Sequence, residues 1–369
     1  MRILYFTKKL TVHDRRFLLK LAHSGHETYL LLLEKDRQPP AELPTGVRTL
    51  GSLDAEPGGD PTRWAPAAPA LAKVLNQVRP SVVHAGPVQS CGYVATLAGA
   101  RPLLVMSWGS DLLRDAERGS AWQEATRHAL SHADMLMVDC DTLRARAREF
   151  APFEDARILQ FPWGVDLSRF PAAPGDWRAR LGWERACIVL STRAWEPGYG
   201  IEVLLEAVER AHSRHPLLRL VLAGEGSLAP KIEQYVQAHG LGAAVHRPGS
   251  IGERDMPGLF AAADLYLSCC PIDGASISLL EAMASERVVI VADAPGNREW
   301  VKPGENGWLV AATDADAFAA AIVRAAELDE GARREIGKRN RTVCEARADW
   351  DRNFSKLLAA YERLASGGT

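Results

Sequence analysis

Two carboxylates, Asp273 and Glu281, frame the stretch of clearest chemical content, PIDGASISLLEAMA over 271–284. The stretch follows an apolar run, passes through a loop containing Gly274, and enters a helix expected to start at about Ser276–Ser278. Asp273 then lies on the loop, and Glu281 about one turn inside the helix. The backbone N–H groups of Ser276, Ile277, Ser278 and Leu279 point out of that helix start. Unpaired amides and the helix macrodipole attract phosphate there. Carboxylates accept hydrogen bonds from hydroxyls while amides hold a diphosphate, so the arrangement suits a sugar nucleotide. The same residues also read as a serine cap followed by an acid favoured early in a helix. Both readings stand at this level.

These residues sit in a repeated rhythm of a short apolar run followed by an amphipathic stretch. Runs at 2–6, 27–34, 82–85, 103–108 and 134–138 alternate with helix-length segments, the first from Asp14 to about Ser24. Continuous Val/Ile/Leu runs between helices are how strands buried on both faces read, and their alternation implies a parallel, doubly wound sheet. Residues 162–176, PWGVDLSRFPAAPGD, are rich in Pro and Gly without any period and read as a linker. The rhythm restarts with runs at 187–192, 218–224, 265–270, 288–293 and 307–311. Helices fall at about 201–215 and 229–239, and from about 314 to 366 the pattern is almost all helical. The expectation is an α/β protein of two Rossmann-like domains, 1–165 and 166–348, with a cleft facing the carboxyl ends of both sheets. A last helix within 349–369 should pack back on the first domain.

Composition narrows the partners. The 369 residues are 47% hydrophobic and 24% charged with a net charge of -2, which gives no electrostatic reason for a nucleic-acid partner. No run approaches the ~20 apolar residues of a bilayer span. The start, MRILYF, passes at once into polar KKLTVHDRR, so a cytoplasmic location is expected. Lys8, Lys9, Arg15, Arg16 and Arg63 could form a local membrane-facing patch or simply a solvated face. Six cysteines, at 91, 140, 187, 269, 270 and 344, show no CxxC and no histidine at zinc spacing. Buried free thiols in a reducing compartment, and no metal site, are expected.

Read in order, six segments resemble the GT4-type retaining glycosyltransferases of GT-B fold. PIDGASISLLEAMA is similar to their E-x7-E signature, EGFGLxxLEAMA, with Asp273 in the first acidic place and Glu281 in the second. WGSDL (108–112) resembles the HGxD segment, PWGVDLSRF (162–170) the PNGVDxxxF segment, and TRAWEPGYGIEVLLEAV (192–208) the GRLxxEKGxxxLLEA segment. LAGEGSL (222–228) resembles the GxGP segment and PGNREWVKPGENGWLV (295–310) the GGxxExVxxGxNGxLV segment. The resemblance implies a sugar transferred from a nucleotide-diphosphate sugar, UDP-linked first and GDP-linked next, to a hydroxyl acceptor; with no metal-ligand cluster in the sequence, neither a cofactor nor a metal is expected. By the same resemblance Glu281 binds ribose hydroxyls, Asp273 holds the donor sugar, and Arg193 meets the diphosphate as it leaves. The loop 273–275, with Gly274, and the amides of Ser276, Ser278 and Leu279 then cradle the donor. A fixed cation and amides aimed at the leaving oxygen lower the barrier by stabilising the charge that develops there.

The departures from the family pattern carry as much information. Tyr199 stands where most members have a Lys, keeping a hydrogen-bond donor and losing the charge. The first loop, KKLTVHDRRF (8–17), lacks the family's glycine pair, and Arg15 or Arg16 is a candidate for the missing cation, or the two are a pair of solvated arginines. Asp14 is the one anion at that helix start, where cations are otherwise unfavourable. Trp108 stands at a usual His, so it can pack a sugar face but cannot transfer a proton. Asp111 remains as an acceptor-side carboxylate able to orient a hydroxyl. Gly86 replaces the second His of the family's HxH, leaving His84 as a structural residue. Glu299 matches an acid that serves the donor sugar or caps a helix, and Glu286 and Val288 replace a usual Gly and Pro. Gly224–Gly226, Asp314/Asp316 and Asp139/Asp141 mimic dinucleotide or metal-binding motifs, but their places in the rhythm favour loops and helix caps. Two other classes keep the same fold. A sugar-nucleotide epimerase would turn over the donor without an acceptor. A non-catalytic nucleotide-sugar-binding subunit, which Tyr199 and Trp108 bring to mind, would bind without hydrolysis or transfer. The acceptor, a glycan, a lipid-linked sugar or a small molecule, is not written in loops of this kind.

Overall fold

The structure, a computed structural model, describes residues 1–35, 43–171, 173 and 175–367. The chain divides into two compact units, Met1–Phe161 with Phe354–Thr369, and Pro162–Asn353. The chain thus leaves the first unit after Phe161 and returns at Phe354, where the sequence placed its boundaries at 165/166 and 348/349. Of the expected linker 162–176, residues 172 and 174 lie outside the described residues, as do 368 and 369 of the last segment.

Seven strands build the sheet of the first unit: β1 (Arg2–Thr7), β2 (Glu27–Glu34), β3 (Val47–Ala55), β4 (Val82–Gly86), β5 (Leu103–Met106), β6 (Met135–Val138) and β7 (Ile158–Gln160). Their order is β3-β2-β1-β4-β5-β6-β7, parallel throughout. The second unit holds β8 (Cys187–Ser191), β9 (Leu218–Ala223), β10 (Val245–Gly249), β11 (Leu265–Ser268), β12 (Val288–Ala292) and β13 (Gly307–Val310). These run β10-β9-β8-β11-β12-β13, again all parallel. Both are the doubly wound sheets that the alternating pattern implies.

Central strands are apolar along their whole length because helices cover both faces. Every residue of β8, β11 and β12 is buried, as are Ile3 to Thr7 of β1. On one face of the second sheet, Val189, Leu220, Leu265, Leu267 and Ile290 pack with Leu204 and Val208 of the helix Ile201–Arg214. The helices Ala229–Ala238 and Ala315–Ala326 complete that layer through Ile232, Val236, Phe318 and Ile322. Asp314 caps the latter helix, its side chain accepting from Ala317 N at 2.8 Å. Glu286, at the usual glycine place, turns the chain from the helix Ile277–Ala284 into β12 with φ of 60°. That left-handed backbone costs a non-glycine residue about 1 kcal/mol.

In the first unit the helix Trp350–Ala365 turns Phe354, Leu357, Tyr361 and Leu364 inward at three- and four-residue spacing. Tyr361 places its hydroxyl 2.5 Å from His84 Nδ1, and burial lowers the His84 pKa to about 3, so the imidazole is neutral. Phe354 packs its ring 6.3 Å from Phe17. Six free cysteines are all buried. Among the described residues no helix is long and apolar enough to cross a membrane.

Candidate active site

Three loops at the carboxyl ends of adjacent strands meet in the second unit. The loop after β8 runs from Thr192 to Gly200 and carries Arg193 and Tyr199. The loop after β11, Cys269 to Ser276, carries Asp273. The short helix Pro295–Arg298 follows β12. Close backbone approach holds the three together. A Cβ on Gly200 (φ +73°) would lie 2.2 Å from Cys269 O, and one on Gly296 would lie 2.3 Å from both Asp273 O and Gly274 O. Only glycine permits these contacts.

Arg193 is the centre of the group. One guanidinium nitrogen donates to Asp273 Oδ1 at 2.8 Å, and the other to Ser276 Oγ at 2.9 Å and more weakly to Ser278 Oγ at 3.5 Å. Arg193 and Asp273 each expose only 10% of their side chains. Burial works against the Arg193 charge, but Asp273 beside it reverses the effect and holds the guanidinium protonated. Burial raises Asp273 above the usual 3.8, with Arg193 opposing the rise. Tyr199 lays its ring against this cation, 5.0 Å from centroid to guanidinium carbon, a cation–π contact. It supports the arginine rather than replacing a second charge. Asp273 Oδ2 and Arg193 Nε are buried without a hydrogen-bond partner among the described residues, so the pair keeps one acceptor and one donor beyond its own bond.

Ser276 stands at the N-cap of the helix Ile277–Ala284, yet its side chain makes no capping bond and serves Arg193 instead. The first intrahelical bond runs from Leu280 N to Ser276 O at 3.1 Å. The amides of Ile277, Ser278 and Leu279 therefore lie ahead of the ladder. Leu279 itself is buried, and only its backbone can serve a ligand. Glu281 is half-buried on the same helix, and Gly274 is half-buried on the loop. Glu299 sits at the C-cap of Pro295–Arg298 rather than at a helix start, and its carbonyl accepts from Arg347 at 2.7 Å.

The remaining candidates belong to the first unit. Asp111 is corrected from its expected role. It is 2% exposed, and its oxygens accept from Ser107 Oγ at 2.6 Å, Leu112 N at 2.9 Å, Val88 N at 3.1 Å and Trp108 N at 3.2 Å. Burial pushes its carboxyl up against the pull of these bonds. A carboxylate committed to four donors shapes the loop after β5 and has no oxygen turned to an acceptor. Trp108 is half-buried, its ring 6.0 Å from His13 and 6.2 Å from Phe17. Arg15 and Arg16 are half-buried on the helix Val12–Ala22. Asp14 closes that helix's capping box with Thr11 and accepts from Tyr5 Oη at 3.0 Å; it is buried and so is no counter-ion for a ligand site.

Tyr266 is the residue that the sequence did not single out. Its hydroxyl lies 2.7 Å from Ser278 Oγ, and burial pushes its phenol up to about 12, so it is neutral. The signal available was strand alternation: Leu265 and Leu267 point into one core while Tyr266 points to the opposite face, beneath the next helix. No group of three or more His, Cys, Asp or Glu gathers as a metal site among the described residues.

Comparison with known proteins covers both units. Residues 12–164 match the glycosyl transferase 4-like domain family, and residues 175–343 match glycosyl transferases group 1. The phosphatidyl-myo-inositol mannosyltransferase of Mycolicibacterium smegmatis is 30% identical over 214 residues, 57% of this chain and 53% of that protein. The chain thus spans about half the length of the curated relatives it matches. Among solved structures, the sucrose-phosphate synthase of Thermosynechococcus elongatus superposes with a TM-score of 0.84 at 22% identity, covering 99% of both chains. Anabaena HepE in complex with UDP-glucose gives 0.80 at 19% identity, covering 98% of this chain and 99% of that one. What these two share with the chain is the fold.

Proposed function

We propose, on the premise that this chain belongs to the GT4-type glycosyltransferases, that it moves a sugar from a nucleotide-diphosphate sugar to a hydroxyl acceptor with retention at the anomeric carbon. The second unit takes the donor and the first unit the acceptor. The observation that carries the reading is the buried Arg193 held between Asp273 and Ser276 at the tip of the helix Ile277–Ala284. A diphosphate there meets a cation and free amides that need no reorganisation as the leaving oxygen gains charge. Asp273 keeps Oδ2 for a sugar hydroxyl, and Glu281, just over one turn into the helix, takes the ribose. UDP-sugars are the first choice of donor, in keeping with the neighbour solved with UDP-glucose, and GDP-sugars come next. Arg193 and the amides supply the positive charge, so the reaction is proposed to run without a metal.

The test is a binding screen of UDP- and GDP-sugars, then acceptor-free hydrolysis and transfer assays with the best binder. Arg193→Ala should weaken donor binding by at least about tenfold, the scale of an uncompensated buried charge partner. Equal binding by Arg193→Ala and wild type, or no binding by either, sinks the reading. Loss of turnover in EDTA refutes metal independence, and an inverted product in NMR refutes retention. One observation favours a second reading, a nucleotide-sugar-binding subunit without turnover: the Arg193 charge is already matched by Asp273. Tight donor binding with neither hydrolysis nor transfer across an acceptor panel would select it.

A further inference from the structure

Behind the cation lies a row of three hydroxyls, of which the donor-site reading uses only that of Ser276. Tyr266 Oη is 2.7 Å from Ser278 Oγ, which is 3.3 Å from Ser276 Oγ, which accepts from Arg193 at 2.9 Å. A guanidinium only donates, so the direction at the last link is forced. The order of protons that satisfies each oxygen runs from Tyr266 to Ser278 to Ser276. Both lone pairs of Ser276 Oγ are then occupied, by Ser278 and by Arg193, and its own O–H is left as a donor at the helix tip. Tyr266 is fully buried on β11 and packs its ring 6.0 Å from Phe260, so its hydroxyl touches no ligand and reaches the site only through this row.

We propose that Tyr266 is a positioning residue for the donor's diphosphate, its buried hydroxyl fixing the Arg193 guanidinium through Ser278 and Ser276. Arginine is long, and its planar fork must face the phosphate oxygens to bind them in two places. Asp273 anchors one nitrogen, and the hydroxyl row anchors the other. With both anchors the fork has one orientation; without the hydroxyl row it is held by Asp273 and the face of Tyr199 and can turn in the plane of that ring. The inference rests on the reading that Arg193 meets the diphosphate, and its test separates the two.

Affinity is measured by calorimetry for UDP and GDP, with uridine and guanosine as phosphate-free controls, on wild type, Tyr266→Phe, Arg193→Ala and the double variant. Phenylalanine keeps the ring and removes only the hydroxyl. The expected result is a loss of roughly three- to tenfold in nucleoside diphosphate affinity, the scale of one buried hydrogen bond, with nucleoside affinity unchanged. In the Arg193→Ala background the same change should have no further effect, because the cation it positions is gone. Equal losses for UDP and uridine, additive losses in the double variant, or a Tyr266→Phe protein that binds UDP like wild type overturns the inference. In each of those cases a weakened Arg193→Ala leaves the donor-site reading intact. Wild-type protein that binds none of the four probes overturns both. Should Tyr266→Phe melt below the assay temperature, Ser278→Ala cuts the same row and decides by the same comparison.

Discussion

At the scale of single residues, burial separates the carboxylates into different kinds of work. Asp273 and Asp111 are both nearly inaccessible, but Asp273 faces one cation and keeps an unpartnered oxygen, whereas both oxygens of Asp111 are taken by four donors. Nothing in WGSDL marks that difference, since three of those four donors are backbone amides that any sequence would supply. Asp111→Asn turns one acceptor into a donor facing those amides and should cost about 3 kcal/mol of stability. Turnover per folded molecule should stay as in wild type. Denaturant unfolding beside a steady-state assay below the melting point checks this; a stable variant with lost turnover would restore the acceptor role. Asp273 and Arg193 were readable because both stand in segments that resemble the family pattern, on loops that follow apolar strand runs. Tyr266 was hidden inside such a run, where a hydroxyl looks like one more aromatic.

The elements were legible in proportion to their burial. Central strands covered by helices on both faces show as unbroken apolar runs, and each is found where its run lies. The three strands without such a run, β3, β7 and β10, all lie at sheet edges. β3 is largely exposed, β7 has three residues, and β10 reads VHRPG. An edge strand has one neighbour and is free to be polar, so its pattern fades into that of a loop. Loop-to-loop contact is equally silent in sequence. Gly296 looks like an ordinary turn residue until its neighbours, the carbonyls of Asp273 and Gly274, are seen 2.3 Å from where a side chain would begin. Gly296→Ala must push these loops apart, costing about 1–3 kcal/mol and reducing UDP affinity along with it. Gly242→Ala, where nothing lies within 4 Å, is the control and should match wild type in melting and binding. If both variants match wild type, the loop contact does not set the Asp273 position.

At the scale of the whole molecule, the first unit is discontinuous. Residues 1–161 supply its sheet, and the helix that returns at Phe354 fills a groove with Leu357, Tyr361 and Leu364 and engages the buried His84. A chain stopped after Asn353 loses that layer from one unit only. Limited proteolysis of it, followed by mass spectrometry, should degrade 1–161 early and leave a fragment near 162–353. Equal resistance of both units would show that the helix contributes little. The same break in continuity reverses the usual order of maturation on the ribosome. Domains ordinarily fold from the N-terminus as they emerge, at about 5–20 residues per second. Here residues 162–353 can finish while the earlier-made half still waits, for roughly 10–40 s at that speed, for its missing piece. During that interval a nascent chain exposes the apolar groove meant for Tyr361, a stretch that a chaperone would be expected to shield.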